Sequence, residues 1–207
     1  MRIVAGEFRG RFLKAPKGEG TRPTTDRVRE SMMSAVASAR GGFDGAVVLD
    51  AFAGSGALGI EALSRGARCA HFYERGGEAL RTLAANAKAL GLEPCRARIR
   101  RADVLKDPPT RARPPFDLIF LDPPYAHPAS EVLDLVVCLR ASGALADDVI
   151  VVYEHAATAD GEVDDAAKAR DLPIARRKKY GDTVVDVLRA ARGEDADTAT
   201  ERGRDRT

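Results

Sequence analysis

Four acidic residues each come at the end of a predicted strand, and this repeated placement indicates a binding site built from carboxylates. The four are Asp50, Glu74, Asp103 and Asp122. Ionised carboxylates only accept hydrogen bonds, so a group of them suits a ligand that presents an ammonium group, hydroxyls and an amine. One such acid could equally be a helix cap or a loop residue. Four in succession are hard to explain as caps.

The first acid opens a glycine-rich turn that contains Asp50, Phe52, Gly54, Ser55 and Gly56. Glycine lacks a Cβ, so the backbone can bend sharply here and approach a ligand. Phosphate-binding turns instead place G-x-G-x-x-G directly after the strand, and an acid in that place would repel a pyrophosphate. The order D-x-F-x-G-x-G resembles the donor-binding motif of S-adenosylmethionine-dependent methyltransferases. A strand–helix corner that binds no ligand is the alternative.

The next two acids suit the nucleoside part of such a donor. Glu74 lies 24 residues after Asp50, about where nucleotide-binding folds place the acid that binds ribose hydroxyls. Asp103 is expected further along the same edge, where it would accept from the exocyclic amine of adenine. Asp50 and the backbone of the glycine turn would then hold the methionine end.

The fourth acid begins the sequence Asp122-Pro123-Pro124-Tyr125, which suits methyl transfer to an amino group on a base. The lone pair of such an amine is delocalised into the ring and attacks poorly. Acceptors at its two N–H groups favour a pyramidal nitrogen, and we assign these acceptors to the Asp122 carboxylate and the Pro123 carbonyl. Tyr125 offers a ring for stacking, worth about 1–3 kcal/mol per base. This chemistry requires neither a metal ion nor a nucleophilic cysteine.

The elements that would position these residues alternate between strand and helix, which predicts an α/β fold with a mostly parallel sheet. Parallel strands bring their C-terminal ends to one edge, so the four acids are expected to meet there. Two last strands, near 172–180 and 183–190, would form an antiparallel hairpin around Gly181-Asp182. Residues 156–171 are predicted as a short helix or loop. The other strands are predicted at 46–50, 69–74, 96–102, 116–122 and 149–153, and the helices at 26–39, 58–63, 78–90 and 131–139.

Length and composition favour one domain with a sizeable core, because the chain has 207 residues of which 44% are apolar. The sequence contains no apolar run near 18 residues, so no membrane span is expected. The segment 1–6 lacks the apolar stretch of a signal peptide. The three cysteines are widely separated and match no zinc or disulfide pattern, which favours the cytoplasm.

The N-terminal region is strongly basic, with eight basic and three acidic side chains over residues 1–29, a net charge of +5. We predict a small basic arm or hairpin over residues 1–24, outside the main sheet. Arg9, Arg11 and Lys14 are its candidates for binding nucleic acid, because basic clusters attract phosphate backbones. Solvated surface charge is the alternative. The main domain is predicted over 25–192, and the charged segment 193–207 is predicted to be disordered.

Residues 1–190 resemble the bacterial 16S ribosomal RNA guanine-N2 methyltransferases that modify the small subunit. The resemblance is carried by residues 22–30, by residues 52–63 and by the segment Asp122-Pro123-Pro124-Tyr125. It implies a Rossmann-like class I fold with a seven-stranded sheet, and S-adenosylmethionine as the methyl donor. It also implies a flipped-out guanine within an assembled or partly assembled small subunit. We expect a monomer without a metal ion.

Carried over by position, the resemblance places Arg22, Thr24 and Arg27 in the donor pocket near the methionine end. Phosphate contact is the alternative role for the two arginines. Two other functions stay open. One is a DNA methyltransferase acting on adenine or cytosine amines, although the chain has no room for a separate target-recognition domain. The other is a non-catalytic RNA-binding assembly factor. A nicotinamide-dependent dehydrogenase is disfavoured by the acid at the first strand.

Overall fold

The computed structural model describes residues 1–15 and 26–190. The predicted donor contacts Arg22 and Thr24, both predicted domain boundaries and the segment 193–207 lie outside these residues. Within the described part of the chain, no helix is both long and apolar enough to cross a bilayer.

The described residues form one seven-stranded sheet with five helices. The strands lie in the order β3-β2-β1-β4-β5-β7-β6. The first five are parallel neighbours, and β7 runs antiparallel to both β5 and β6. The strands are β1 Val47–Asp50, β2 Cys69–Glu74, β3 Ala97–Arg101, β4 Phe116–Leu121, β5 Leu145–Ala156, β6 Ile174–Tyr180 and β7 Thr183–Arg189. The helices are α1 Asp26–Arg40, α2 Ala57–Ser64, α3 Gly77–Ala89, α4 Ala129–Ala141 and α5 Asp160–Ala169.

Helices cover both faces of the sheet, and strand side chains alternate between two hydrophobic cores. In β4, Leu118 and Phe120 pack with α1, α2 and α3. Ile119 and Leu121 pack with α4 and α5 on the opposite face. Because the central strands are buried on both faces of the sheet, their sequences are nearly continuous apolar runs. The predicted Rossmann-like class I fold, with its C-terminal antiparallel hairpin, is confirmed.

Two elements differ from their predicted extent. Strand β5 spans Leu145–Ala156 rather than 149–153, because acidic residues flank the apolar run on both sides, with Asp147 and Asp148 before it and Glu154 after it. The segment predicted as a short helix or loop contains helix α5, Asp160–Ala169, after a single 3₁₀ turn. Its buried side is narrow and consists mainly of Val163, Ala166 and Ala167, so its apolar pattern is weak.

Residues 1–15 lie outside the sheet, as predicted, but they are firmly packed on it. A β-bridge pairs Arg2 with Phe12, and the side chains of Ile3, Phe8 and Leu13 belong to the hydrophobic core. We call residues 1–15 the N-terminal hairpin. Buried polar side chains on α2 hold its backbone. Glu61 accepts from the amides of Val4 and Ala5 at 2.9 and 3.1 Å, and Ser64 accepts from the amide of Phe8 at 2.9 Å.

Candidate active site

A cavity of about 1020 Å³ opens at the edge where the parallel strands end. The four acids singled out from the sequence all line it, although they are far apart in the chain. Phe52, Gly54, Ser55, Pro123 and Tyr125 line it as well. The edge therefore brings most of the described donor-binding candidates and the predicted catalytic residues into one cavity.

The glycine turn between β1 and α2 has the backbone conformation that its sequence predicts. Gly54 and Gly56 have φ angles of +54° and +82°. Residues that carry a side chain rarely adopt this left-handed backbone conformation. A Cβ on Gly56 would also lie 2.2 Å from Leu83 Cδ1. Gly56 does not line the cavity. Its small size lets the start of α2 pack against α3, whereas Gly54 faces the cavity.

Asp50 both fixes the turn and faces the cavity. Asp50 is only 1% exposed, and its Oδ2 accepts a hydrogen bond from the Gly59 amide at 2.9 Å. Burial raises the pKa of Asp50 to about 7, and the neighbouring carboxylates of Asp122 and Glu74 add to this rise, against the opposing effect of the Gly59 hydrogen bond. A cation bound nearby would favour its ionised form.

Glu74 is held by the backbone at both of its oxygens. Oε2 accepts from the Gly54 amide at 2.8 Å, and Oε1 accepts from the Gly76 amide at 2.5 Å. Each carboxylate oxygen can accept a further hydrogen bond, so this fixed orientation still leaves acceptor capacity for two hydroxyls. The contact to Gly54 ties the end of β2 to the glycine turn.

Asp103 lies just beyond β3, further along the same edge. Its Oδ1 accepts from the Leu105 amide at 3.2 Å, and its Oδ2 is 3.3 Å from Nη1 of Arg75. The ion pair is largely exposed on the arginine side, so it is weak and easily rearranged. An amine that binds to Asp103 would share this carboxylate with Arg75.

The segment from Asp122 to Tyr125 leaves β4 and lines the part of the cavity next to β5. Tyr125 is 45% exposed, and its hydroxyl lies 3.3 Å from Thr183 Oγ1 and 3.5 Å from Glu154 Oε1. These contacts hold the end of the ring while leaving much of the ring accessible. An exposed aromatic ring held in this way can serve as a stacking surface.

Two buried charged residues that line the cavity were not predicted as site residues from the sequence. Glu154 is 5% exposed, near the end of β5. It follows the apolar run 149–153, the same signal that identified the other acids. Arg29 is 1% exposed on α1, and its Nη2 donates to the Arg2 carbonyl at 2.8 Å. Arg27, which was predicted to line the cavity, is exposed on α1 and does not line it.

The predicted nucleic-acid contacts of the N-terminal hairpin are Arg9, Arg11 and Lys14, and all three are exposed. They lie at different positions along the hairpin, and only Lys14 is next to a residue of the cavity. Lys14 is beside Ala15, which lines the cavity. Arg11 donates to the carbonyl of Ala89 at 2.8 Å, at the far end of α3. Arg9 lies in the turn of the hairpin, next to the end of α2. A ligand that contacts the cavity and all three residues would therefore have to extend along the hairpin.

The chemistry of the cavity fits S-adenosylmethionine. The edge presents carboxylates as acceptors, and the donor presents an amine, two ribose hydroxyls and an ammonium group. The turn after β1 has no side chain at Gly54, where the ligand would approach the backbone. Among residues 1–15 and 26–190, no group of three or more His, Cys, Asp or Glu side chains is arranged to hold a metal ion.

Comparison with known proteins gives consistent matches over most of the chain. The model of a family described as Conserved hypothetical protein 95 matches residues 1–189. A candidate rRNA methyltransferase of Bacillus subtilis is 38% identical over 91% of this chain and 98% of its own length. Ribosomal RNA small subunit methyltransferase D of Escherichia coli K12 is 36% identical over 74% of each chain. A solved structure of a candidate Escherichia coli methyltransferase is 31% identical, with a TM-score of 0.75, over 93% of this chain and 99% of that one.

Proposed function

The chain belongs to the Conserved hypothetical protein 95 family, and from this membership and the geometry of the cavity we propose that it methylates the exocyclic N2 of a guanine in 16S rRNA of the small ribosomal subunit. The donor is S-adenosylmethionine, which supplies an electrophilic methyl group. The observation that carries the proposal is the meeting of Asp50, Glu74, Asp103 and Asp122 in one cavity with Tyr125.

One half of the edge holds the donor. Glu74, fixed by the amides of Gly54 and Gly76, accepts from the ribose hydroxyls. Asp103 accepts from the adenine amine. Asp50 lies at the methionine end, where its carboxylate stabilises the ammonium group. Arg29 is the described cation that lines this cavity from α1, and we assign it, rather than Arg27, to the methionine carboxylate.

The other half of the edge holds the accepting base. The guanine stacks on the ring of Tyr125, and its N2 amine donates to the Asp122 carboxylate and to the Pro123 carbonyl. These two acceptors direct the nitrogen lone pair toward the methyl group. Such alignment supplies much of a rate enhancement, because the effective molarities of well-oriented groups are worth roughly 7–11 kcal/mol. Asp122 also stabilises the positive charge that develops on the nitrogen as the methyl group leaves the donor's sulfur, and its carboxylate accepts the proton that the amine loses.

The proposed substrate rests on the names of the relatives and on the charge of the N-terminal hairpin. Ribosomal RNA small subunit methyltransferase D of Escherichia coli is a relative over 154 residues. The exposed cations of the hairpin extend from Lys14 beside the cavity to Arg9 near the end of α2. A structured RNA particle can contact this whole length while one extruded base enters the cavity.

Methyl transfer from labelled donor to small subunits that lack the modification tests the proposal. The subunits come from a strain without the enzyme, and the rRNA is digested to nucleosides after the reaction. We expect the label in N2-methylguanosine at a single position of 16S rRNA. Label in an adenine or cytosine amine, or transfer to DNA but not to the subunits, would contradict the proposal.

A further inference from the structure

The buried carboxylate of Glu154 lies beside the proposed acceptor residues at the same edge of the sheet. Leu121 of β4 pairs with Tyr153 of β5, so the next position on each strand places Asp122 beside Glu154. Neighbouring parallel strands are about 4.8 Å apart. Glu154 is also within hydrogen-bonding range of the Tyr125 hydroxyl, at 3.5 Å.

The direction of the Glu154 side chain follows from strand alternation. Val152 packs in the core that α1, α2 and α3 cover, and Tyr153 packs in the opposite core. Glu154 therefore lies on the same face as Val152. Phe120 of β4 shares that face, so Asp122 continues toward it as well. Both carboxylates line the cavity, at the end where the base would stack on Tyr125.

A second carboxylate at this place distinguishes guanine from the other bases that carry an amine. In guanine the N2 amine lies next to the N1–H group, and both donate in the same direction. In adenine and in cytosine, the ring nitrogen next to the amine is an acceptor. A carboxylate facing that ring nitrogen would therefore bind guanine and repel the lone pair of adenine or cytosine.

We propose that Glu154 is the specificity-determining residue of this site, and that it accepts a hydrogen bond from N1–H of the target guanine while Asp122 and Pro123 accept from N2. The proposal rests on the function proposed above.

The test uses small subunits reconstituted with guanosine or 2,6-diaminopurine at the modified position. Diaminopurine keeps the 2-amino group, but its N1 is an acceptor. We expect wild-type protein to favour guanine by about 10- to 100-fold in kcat/KM, the range expected for a hydrogen bond to a charged group. In Glu154→Gln the amide can donate to N1 of diaminopurine, so the preference should fall by most of that factor while donor affinity is unchanged.

Tyr125→Phe is the matched control. It removes the phenol contact to Glu154 but keeps both the ring and the carboxylate, so the guanine to diaminopurine ratio should stay at the wild-type value even if both rates fall. A ratio that is the same in Glu154→Gln and wild type would overturn the assignment of Glu154.

The wild-type protein alone also tests the assignment, so the proposal does not depend on the folding of a variant. Equal transfer to guanine and diaminopurine would overturn the role of Glu154 while leaving guanine-N2 methylation intact. Transfer to another base or atom would overturn both proposals. A wild-type preference for guanine that Glu154→Gln removes would support both.

Discussion

Asn86 on α3 donates a hydrogen bond to the carbonyl of Ser55 at 3.0 Å, and so joins this helix to the glycine turn of the donor site. The same side chain binds the N-terminal hairpin, because its Nδ2 donates to the Lys14 carbonyl at 3.0 Å and its Oδ1 accepts from the Lys14 amide at 2.9 Å. Asn86 is only 2% exposed. One buried amide therefore positions both the proposed donor turn and the end of the basic hairpin.

Replacing this amide should weaken the fold and the donor site together. Asn86→Ala removes three hydrogen bonds, each worth about 1 kcal/mol, and leaves backbone groups of Lys14 and Ser55 unsatisfied. We expect the free energy of unfolding to fall by about 2–4 kcal/mol in a denaturant titration. Donor affinity, measured by calorimetry, should fall at a temperature where the variant is still folded.

Lys88→Ala is the control on the same helix, because Lys88 is exposed. Its free energy of unfolding should stay within about 0.5 kcal/mol of the wild-type value. An Asn86→Ala protein with wild-type stability and wild-type donor affinity would show that Asn86 does not organise the turn.

The exposed cations of the N-terminal hairpin should contribute to binding of the ribosomal particle. Reversing the charge at Arg9 and Arg11 is expected to lower affinity and to flatten its salt dependence, because fewer counterions are released when fewer phosphates are neutralised. Binding is measured at several salt concentrations with purified small subunits.

The matched control for the hairpin reverses two exposed cations elsewhere, Arg111 and Lys168, which makes the same change in net charge. This variant should keep most of the wild-type salt slope. If the Arg9 and Arg11 variant bound like wild type, or if both variants lost affinity equally, the hairpin would have no specific role in RNA binding.

Donor binding should depend on pH through the titration of Asp50. Burial raises its pKa to about 7, so below that pH a proton competes with the donor's ammonium group for the carboxylate. Donor affinity should therefore rise between pH 6 and pH 8 and level off above the pKa. Below the pKa, each further unit of pH should lower the affinity by up to about tenfold. Asp50→Asn should bind more weakly and lose most of this dependence in calorimetric titrations. An unchanged dependence in the variant would assign the effect to another group.

Much of the fold follows from local sequence signals. The central strands are short apolar runs with an acid at the end, and the glycine turn and the final hairpin have strong turn signals. The extent of β5 is not predictable in this way, because Asp147 and Asp148 interrupt the apolar pattern, and the start of the strand depends on the pairing of Leu145 with Phe116 of β4. Helix α5 has the same difficulty, since its apolar side is made mostly of alanine.

The candidate site was predictable where strand ends alone determine position. Glu154 gave the same signal as the other acids and could have been included. Arg29 could have been distinguished from Arg27 by helical spacing, because Met32, Met33 and Val36 follow Arg29 at the intervals that share one helix face, and all three are fully buried. Asn86, by contrast, gave no signal. A buried asparagine inside an amphipathic helix acquires its role from the hairpin that packs on it.

The central claim is that one edge of the sheet divides into a donor-binding half and a base-orienting half. A direct test compares Glu74→Ala with Asp122→Ala, measuring donor affinity by calorimetry and single-turnover transfer to small subunits at saturating donor. The account predicts that Glu74→Ala lowers donor affinity by about 10- to 100-fold, as for loss of hydrogen bonds to a charged group, with much of the transfer rate recovered at saturation. Asp122→Ala should bind donor almost as wild type and transfer no methyl group. Equal loss of affinity and rate in both variants would contradict the division.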